Sequence, residues 1–186
     1  MNNKQIILAS SSPRRTEILT LANIEHIIRP STCEEVVDPN LLPYQVVESL
    51  SKQKASDVFK NHTDSIVIGA DTVVVIDNKI LGKPHSKDEA IYMLELISNN
   101  VHQVITGVTI MSSTNTKTFH VITDVYVEKL TSTDILEYIE KENVYDKAGS
   151  YAIQGMFSKY ISSINGDYYN VVGLPLSKVY KELKEF

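Results

Sequence analysis

Apolar residues along the chain fall into short dense runs and longer periodic stretches, separated by polar segments rich in Gly, Pro, Asn and Ser. Two periods are legible. Residues 5–8, 65–76, 101–111, 116–127 and 160–164 are continuous or alternating apolar and β-branched runs, the signature of strands. Residues 43–60 instead carry Val47, Leu50 and Val58 at the three-and-four spacing of a helix face. Helices are also predicted from Pro13 to about residues 21–23, from Ser86 through about Ile97, over 134–142 with Thr133 as cap, and from Pro175 to about Leu183. Ser86 and Glu89 form a capping-box pattern, and Ser12 before Pro13 reads as an N-cap before a first-turn proline. Asp77-Asn78 and residues 112–115 are hairpin turns, and 26–29 is a second short apolar run closed by Pro30. Strands alternating with helices, plus a long hairpin, predict a mixed α/β domain with no internal repeat, low-complexity tract or linker.

The 186 residues are enough to bury a substantial core. With 18 Lys and Arg against 23 Asp and Glu the net charge is −5, which argues against a general nucleic-acid coat but allows a local cationic pocket. One cysteine, Cys33, excludes an internal disulfide, and no Cys and His cluster has zinc-site spacing. No apolar run is long enough to cross a bilayer, and Met1-Asn2-Asn3-Lys4 leads into a strand without a signal-peptide core, so a cytoplasmic protein with no membrane partner is expected.

Several residues break the pattern in ways that suggest chemistry. The stretch from Ser10 to Arg15 is a strand–turn–helix junction whose free backbone N–H groups, hydroxyls and two guanidinium groups suit phosphate oxygens; a plain capped helix with two solvated arginines is the alternative. Lys54 falls on the apolar stripe of its helix and must either snorkel to water or enter a polar site. Asp71 interrupts the most apolar strand, where a carboxylate is either a costly buried charge or one compensated by a metal or cation, and the second reading is preferred. Pro84 keeps Lys83 extended, so its ammonium projects from a fixed place. Glu34 and Glu35 lie in a polar connection, where adjacent carboxylates are ordinarily solvated. Gly107, inside a strand, marks a bulge or the close approach of a ligand. Residues 146–155, small and glycine-flanked, have the character of a binding loop.

Taken in order, Ser10-Ser11-Ser12-Pro13-Arg14-Arg15, Gly69-Ala70-Asp71-Thr72, Gly82-Lys83-Pro84, Asp146-Lys147-Ala148-Gly149 with Ile153-Gln154-Gly155, and residues 170–175 closely resemble the Maf family of nucleoside triphosphate pyrophosphatases over nearly the whole chain. The resemblance implies one domain over 1–186: an elongated mixed β-sheet flanked by helices, with two lobes around a cleft, like the inosine triphosphate pyrophosphatases. It implies hydrolysis of a nucleoside triphosphate between the α and β phosphates, with a divalent cation (Mg, Mn or similar) as cofactor. Homodimers and an association with cell division and septum formation also come with the family. A nucleotide-responsive binding protein acting on division without turnover is therefore the competing reading.

Residue by residue, the resemblance makes Asp71 the general base. Arg14, Arg15, Lys54 and Lys83, with Ser10 and Ser12, become the substrate clamp, and Asp71 with Glu34 or Glu35 the carboxylates that hold the metal. It places selectivity at Arg14, Thr72 and Gln154. Gln154 looks like the branch acting on dTTP and UTP, where the branch taking 7-methyl-GTP carries glutamate. A glutamine amide can accept from N3–H of uracil or thymine and donate to O4, but rotated it satisfies cytosine. All of this requires Asp71 to share one cavity with the arginine pair and the two lysines.

Overall fold

A computed structural model describes residues 4–186. Met1 to Asn3, part of the stretch read for a signal peptide, lie outside the described residues. The described residues form a seven-stranded mixed sheet flanked by helices. In chain order the strands are β1 (Ile6–Leu8), β2 (Ile27–Ile28), β3 (Ile66–Ile76), β4 (Lys79–Leu81), β5 (Val101–Met111), β6 (Thr116–Val127) and β7 (Ile161–Asn165). The helices are α1 (Pro13–Leu21), α2 (Pro43–Phe59), α3 (Lys87–Ile97), α4 (Ser132–Lys141), α5 (Tyr168–Val172) and α6 (Leu176–Leu183). The sheet runs β2-β1-β3-β5-β6-β7, with β1 parallel to β2 and β3 and the remaining pairs antiparallel.

The three long strands make the sheet elongated, because an 11-residue strand such as β3 spans about 36 Å. On the face turned away from α2 each serves two apolar cores. Toward one end Ile68, Ala70, Val108, Ile110 and Phe119 pack with Leu19 and Val179. Toward the other Val74, Ile76, Val104, Val125 and Val127 pack with Leu94, Tyr138 and Phe157.

Pairing along β3 creates an opening. β5 follows one edge of β3 from Val67 to Val75. On the other edge β1 pairs with Ile66, Val67 and Ile68, while β4 pairs with Val74, Val75 and Ile76. Between them, residues 69–73 have ladder partners only on the β5 side, and Asp71 and Thr72 sit in that gap. The β4 return is tight because Asp77 and Asn78 both adopt positive φ, 49° and 60°, as a two-residue hairpin loop demands.

Helix α2 lies directly on the sheet. A Cβ on Gly107 would sit 2.4 Å from the Val47 carbonyl, and one on Gly69 2.3 Å from the Ser51 carbonyl. The interior glycine of β5 thus admits a helix backbone, not a ligand. This close seat puts the α2 face bearing Val47, Ser51 and Lys54 over the residues of β3 that alternate with its other face, including Asp71.

Local details depart from the sequence pattern at several helix ends. Ser12 has the extended geometry of an N-cap, but its hydroxyl makes no cap bond; its N–H donates to Ser10 Oγ instead. Thr131, not Thr133, caps α4, accepting from the Asp134 N–H while Asp134 accepts from the Thr131 N–H. At α3 the Ser86 hydroxyl accepts from the Glu89 N–H, while Glu89 accepts from the His85 N–H. Helix α5, held by Asp167 accepting from the N–H groups of Tyr169 and Asn170, went unpredicted. No described helix is long and apolar enough to cross a membrane.

Candidate active site

The gap in the sheet opens into a cleft of about 470 Å³. Its walls come from the β1–α1 turn (Ser10 to Arg15), the polar loop after β2, α2, the middle of β3, the turn after β4, the 146–154 loop and the α5–α6 connection. Asp71, Arg14, Arg15, Lys54 and Lys83 all line this one cavity.

Lys54 Nζ lies 2.6 Å from Asp71 Oδ1 and 2.9 Å from Glu35 Oε1, with 15% of its side chain exposed. An ammonium on an apolar helix face has therefore gone into a polar site and joins two carboxylates there. Of the adjacent pair, Glu35 lines the cleft and Glu34 does not. Glu35 is placed by a loop that Asp57 of α2 ties down, its Oδ2 accepting from the Ser31 hydroxyl at 2.9 Å and from the N–H groups of Thr32 and Cys33 at 3.0 and 3.2 Å. Those bonds, the Thr32 N–H foremost, pull the Asp57 carboxyl below the usual aspartate value.

The cations divide into two kinds. Arg15 is fully engaged with the protein: Nε donates to the Gly173 carbonyl at 2.8 Å, Nη1 to Ser10 Oγ at 2.9 Å and Nη2 to Thr72 Oγ1 at 3.0 Å. It ties the N-terminal turn, β3 and the α5–α6 connection together. Burial lowers its pKa while Asp71 opposes the shift, and the guanidinium stays charged. Arg14 and exposed Lys83, by contrast, make no hydrogen bond or ion pair among the described residues. Lys147, which the sequence reading left out of the site, also lines the cleft and donates to Asp146 Oδ1 at 2.9 Å and to the Asn143 carbonyl. Its signals were its place in the glycine-flanked loop and in the Asp146-Lys147-Ala148-Gly149 block.

Ser10 is buried and its Oγ receives both Arg15 and the Ser12 N–H, so it shapes the turn. Gln154 is exposed on the cleft wall, and its amide has no hydrogen-bond partner among the described residues. Thr72 Oγ1 is 2.9 Å from Thr106 Oγ1, on the opposite face of the sheet from Asp71. Both reach the cleft because it lies at the open edge of β3. The 146–154 loop is fastened to the Lys83 turn by the Gly149 N–H, which donates to the Gly82 carbonyl at 2.9 Å, and Gly149 needs its φ of 66° to lie against Val74.

The α/β scaffold whose sheet opens on one edge into a cleft lined by cations and carboxylates has a solved counterpart in its architecture. The Staphylococcus aureus Ham1 protein matches with a TM-score of 0.54 at 13% identity, covering 98% of this chain and 99% of that one, a likeness of fold. The family model described as Maf-like protein matches residues 5–186, and the chain belongs to the Maf family. Among its relatives, the dTTP/UTP pyrophosphatase of Bacillus cereus strain G9842 is 49% identical over 98% of this chain and 96% of its own length. That of Bacillus pumilus strain SAFR-032 is 47% identical with the same coverage.

Proposed function

We propose that the protein is a nucleoside triphosphate pyrophosphatase that hydrolyses dTTP and UTP to the monophosphate and pyrophosphate. The observation that carries this reading is the Lys54 bridge between Asp71 and Glu35, in one cleft with the uncommitted cations Arg14 and Lys83. The 47–49% identical dTTP/UTP pyrophosphatases support the substrate class.

Lys54 holds one Asp71 oxygen, while Oδ2 has no hydrogen-bond partner among the described residues and is free to take a proton from water. The water oxygen bonds to the α phosphorus and the bond from that phosphorus to the bridging oxygen breaks. Asp71 receives the water proton, and pyrophosphate leaves. Arg14 and Lys83 neutralise the charge gathering on the phosphate oxygens, and Arg15 holds the turn and Thr72 in place. Gln154 reads the base edge, its unpinned amide donating to O4 and accepting from N3–H.

Among the described residues no group of three or more His, Cys, Asp or Glu can hold a metal ion by itself. The donor set fits a magnesium-like ion nonetheless, because such an ion needs only one or two carboxylates when phosphates and waters complete its shell. Glu35 and Asp71 would hold it, and bound there it neutralises phosphate charge. A cytoplasmic location and a homodimer belong to the same reading.

Purified protein given UTP or dTTP with Mg or Mn is expected to release pyrophosphate and the nucleoside monophosphate in equal amounts. Orthophosphate as the first product would refute the assignment.

A further inference from the structure

Behind Thr72 runs a line of hydrogen bonds that leaves the cleft. Arg15 Nη2 donates to Thr72 Oγ1 at 3.0 Å, Thr72 Oγ1 lies 2.9 Å from Thr106 Oγ1, and Thr106 Oγ1 donates to the Asn170 carbonyl at 3.0 Å. Thr106 and Asn170 are completely buried and line no part of the cleft. Asn170 is itself fixed, its amide donating to the Val104 carbonyl at 2.9 Å and to Thr123 Oγ1 at 3.0 Å.

The line has a direction, because each hydroxyl owns one hydrogen. A carbonyl only accepts, so the Thr106 hydrogen goes to Asn170. The 2.9 Å contact is then Thr72 donating to Thr106, and Thr72 accepts from Arg15. The other assignment turns the Thr72 hydrogen to the Gly173 carbonyl at 3.4 Å, a longer bond to an oxygen that Arg15 Nε already reaches at 2.8 Å. In both, the Thr72 hydrogen points into the protein.

Resting on the pyrophosphatase reading, we infer that Thr106, anchored on Asn170, is a positioning residue that holds Thr72 as an acceptor-only contact for the nucleotide. With its hydrogen spent inward and one lone pair on Arg15, Thr72 offers the cleft a single lone pair. The group it selects is a hydrogen-bond donor on the substrate; with N3–H, the one ring N–H of uracil or thymine, already accepted by Gln154, that donor is a sugar hydroxyl. Thr106→Val keeps the shape and removes the hydroxyl, which leaves the Thr72 hydrogen only the 3.4 Å Gly173 carbonyl that Arg15 already occupies and lets it turn toward a ligand acceptor in the cleft. Selection for a donor then fades although no residue of the cleft has changed.

The test uses the full chain and compares UTP with N3-methyl-UTP, and dTTP with 3′-deoxy-dTTP, by kcat/KM for pyrophosphate release. The wild type is expected to lose roughly ten- to a hundred-fold on the 3′-deoxy compound, the size of a specific hydrogen bond left unmade. Loss on the N3-methyl compound reads the Gln154 contact and should be the same in Thr106→Val, whereas loss on the 3′-deoxy compound reads Thr72. Thr72→Val and Thr106→Val should both shrink that ratio to within a few-fold, acting through KM on the natural substrate, whereas Thr106→Ser should restore it. A Thr106→Val protein with a wild-type melting temperature and undiminished discrimination against the 3′-deoxy compound would overturn the inference, as would a wild type indifferent to that compound. Calorimetric binding of the same analogues as α,β-methylene triphosphates, which cannot be cleaved, reads the contact without turnover. If no triphosphate yields pyrophosphate, the pyrophosphatase reading fails; if binding still discriminates and Thr106→Val abolishes it, the positioning role stands.

Discussion

Asp71 Oδ1 is held against Lys54 while Oδ2 stays free, so the carboxylate can be neutralised with little change of shape. Asp71→Asn is expected to leave the fold intact and lower kcat by roughly two to four orders of magnitude, the usual worth of a positioned base. Circular dichroism with a single-turnover assay checks this, and a near-normal rate would move the base to Glu35. The two kinds of cation should separate in the same way. Arg14→Met or Lys83→Met removes a group with no protein partner and is expected to raise KM roughly ten- to a hundred-fold while stability changes by under about 0.5 kcal/mol. Arg15→Met removes one donor each from Gly173, Ser10 and Thr72 and is expected to cost about 1–3 kcal/mol of stability as well, read from urea melts. Lys54 and Asp71 were legible in the sequence because each violates an apolar pattern strong enough to make an exception visible. Glu35 could not be told from Glu34, since a loop has no period to orient either. The link between Thr106 and Asn170 carried no signal, because a hydrogen bond across 64 residues leaves no trace in local spacing.

At the scale of elements, the long periodic segments were read well, and the misreadings fall where few residues decide. Helix α5 has five residues between Gly166 and Gly173, too short for a period of 3.6 to show. The α4 cap moved from Thr133 to Thr131 because the sequence offers Thr131, Ser132 and Thr133 together, and only the return bond from Asp134 picks one. The 146–154 loop was recognised, but what holds it was not. Tyr151 enters the core, its hydroxyl 2.6 Å from His102 Nε2, with its ring 4.7 Å from that of Phe157. His102 is buried with Nδ1 unpartnered among the described residues, and burial lowers its pKa to about 4. Between pH 4 and 6.5 the unfolded chain therefore binds a proton that the folded protein refuses, and stability rises with pH across that window. The contribution is fully present above about pH 6.5, is lost progressively as pH falls toward 4, and amounts to about 3 kcal/mol. Urea melts at pH 5 and pH 7.5 should show that slope in the wild type and a shallower one in His102→Gln. Equal slopes would mean that His102 titrates normally in the folded protein.

For the whole molecule, the shared strands decide how it comes apart. β3 gives Ile66, Ile68 and Ala70 to one core and Val74 and Ile76 to the other; β5 and β6 are divided in the same way. Neither core can melt without stripping neighbours from half of three strands whose other halves remain in the second core. The cleft between them is a gap in one edge of the sheet, with β5 paired continuously behind it, so it leaves the two ends joined and no hinge is needed to expose the site. The chain is therefore expected to unfold in one cooperative transition, with an enthalpy of about 130 kcal/mol near 60 °C. Calorimetry decides it: a van't Hoff enthalpy equal to the calorimetric one supports a single unit, and a value near half would mean that the two ends melt separately. Ligand should report the same coupling. On the pyrophosphatase reading a non-cleavable triphosphate would join Arg14 of the β1–α1 turn to Lys83 of the turn after β4, so its binding should raise a single midpoint for the whole protein. A ligand that split the transition in two would show that the ends are held together less by the strands than by what lies between them.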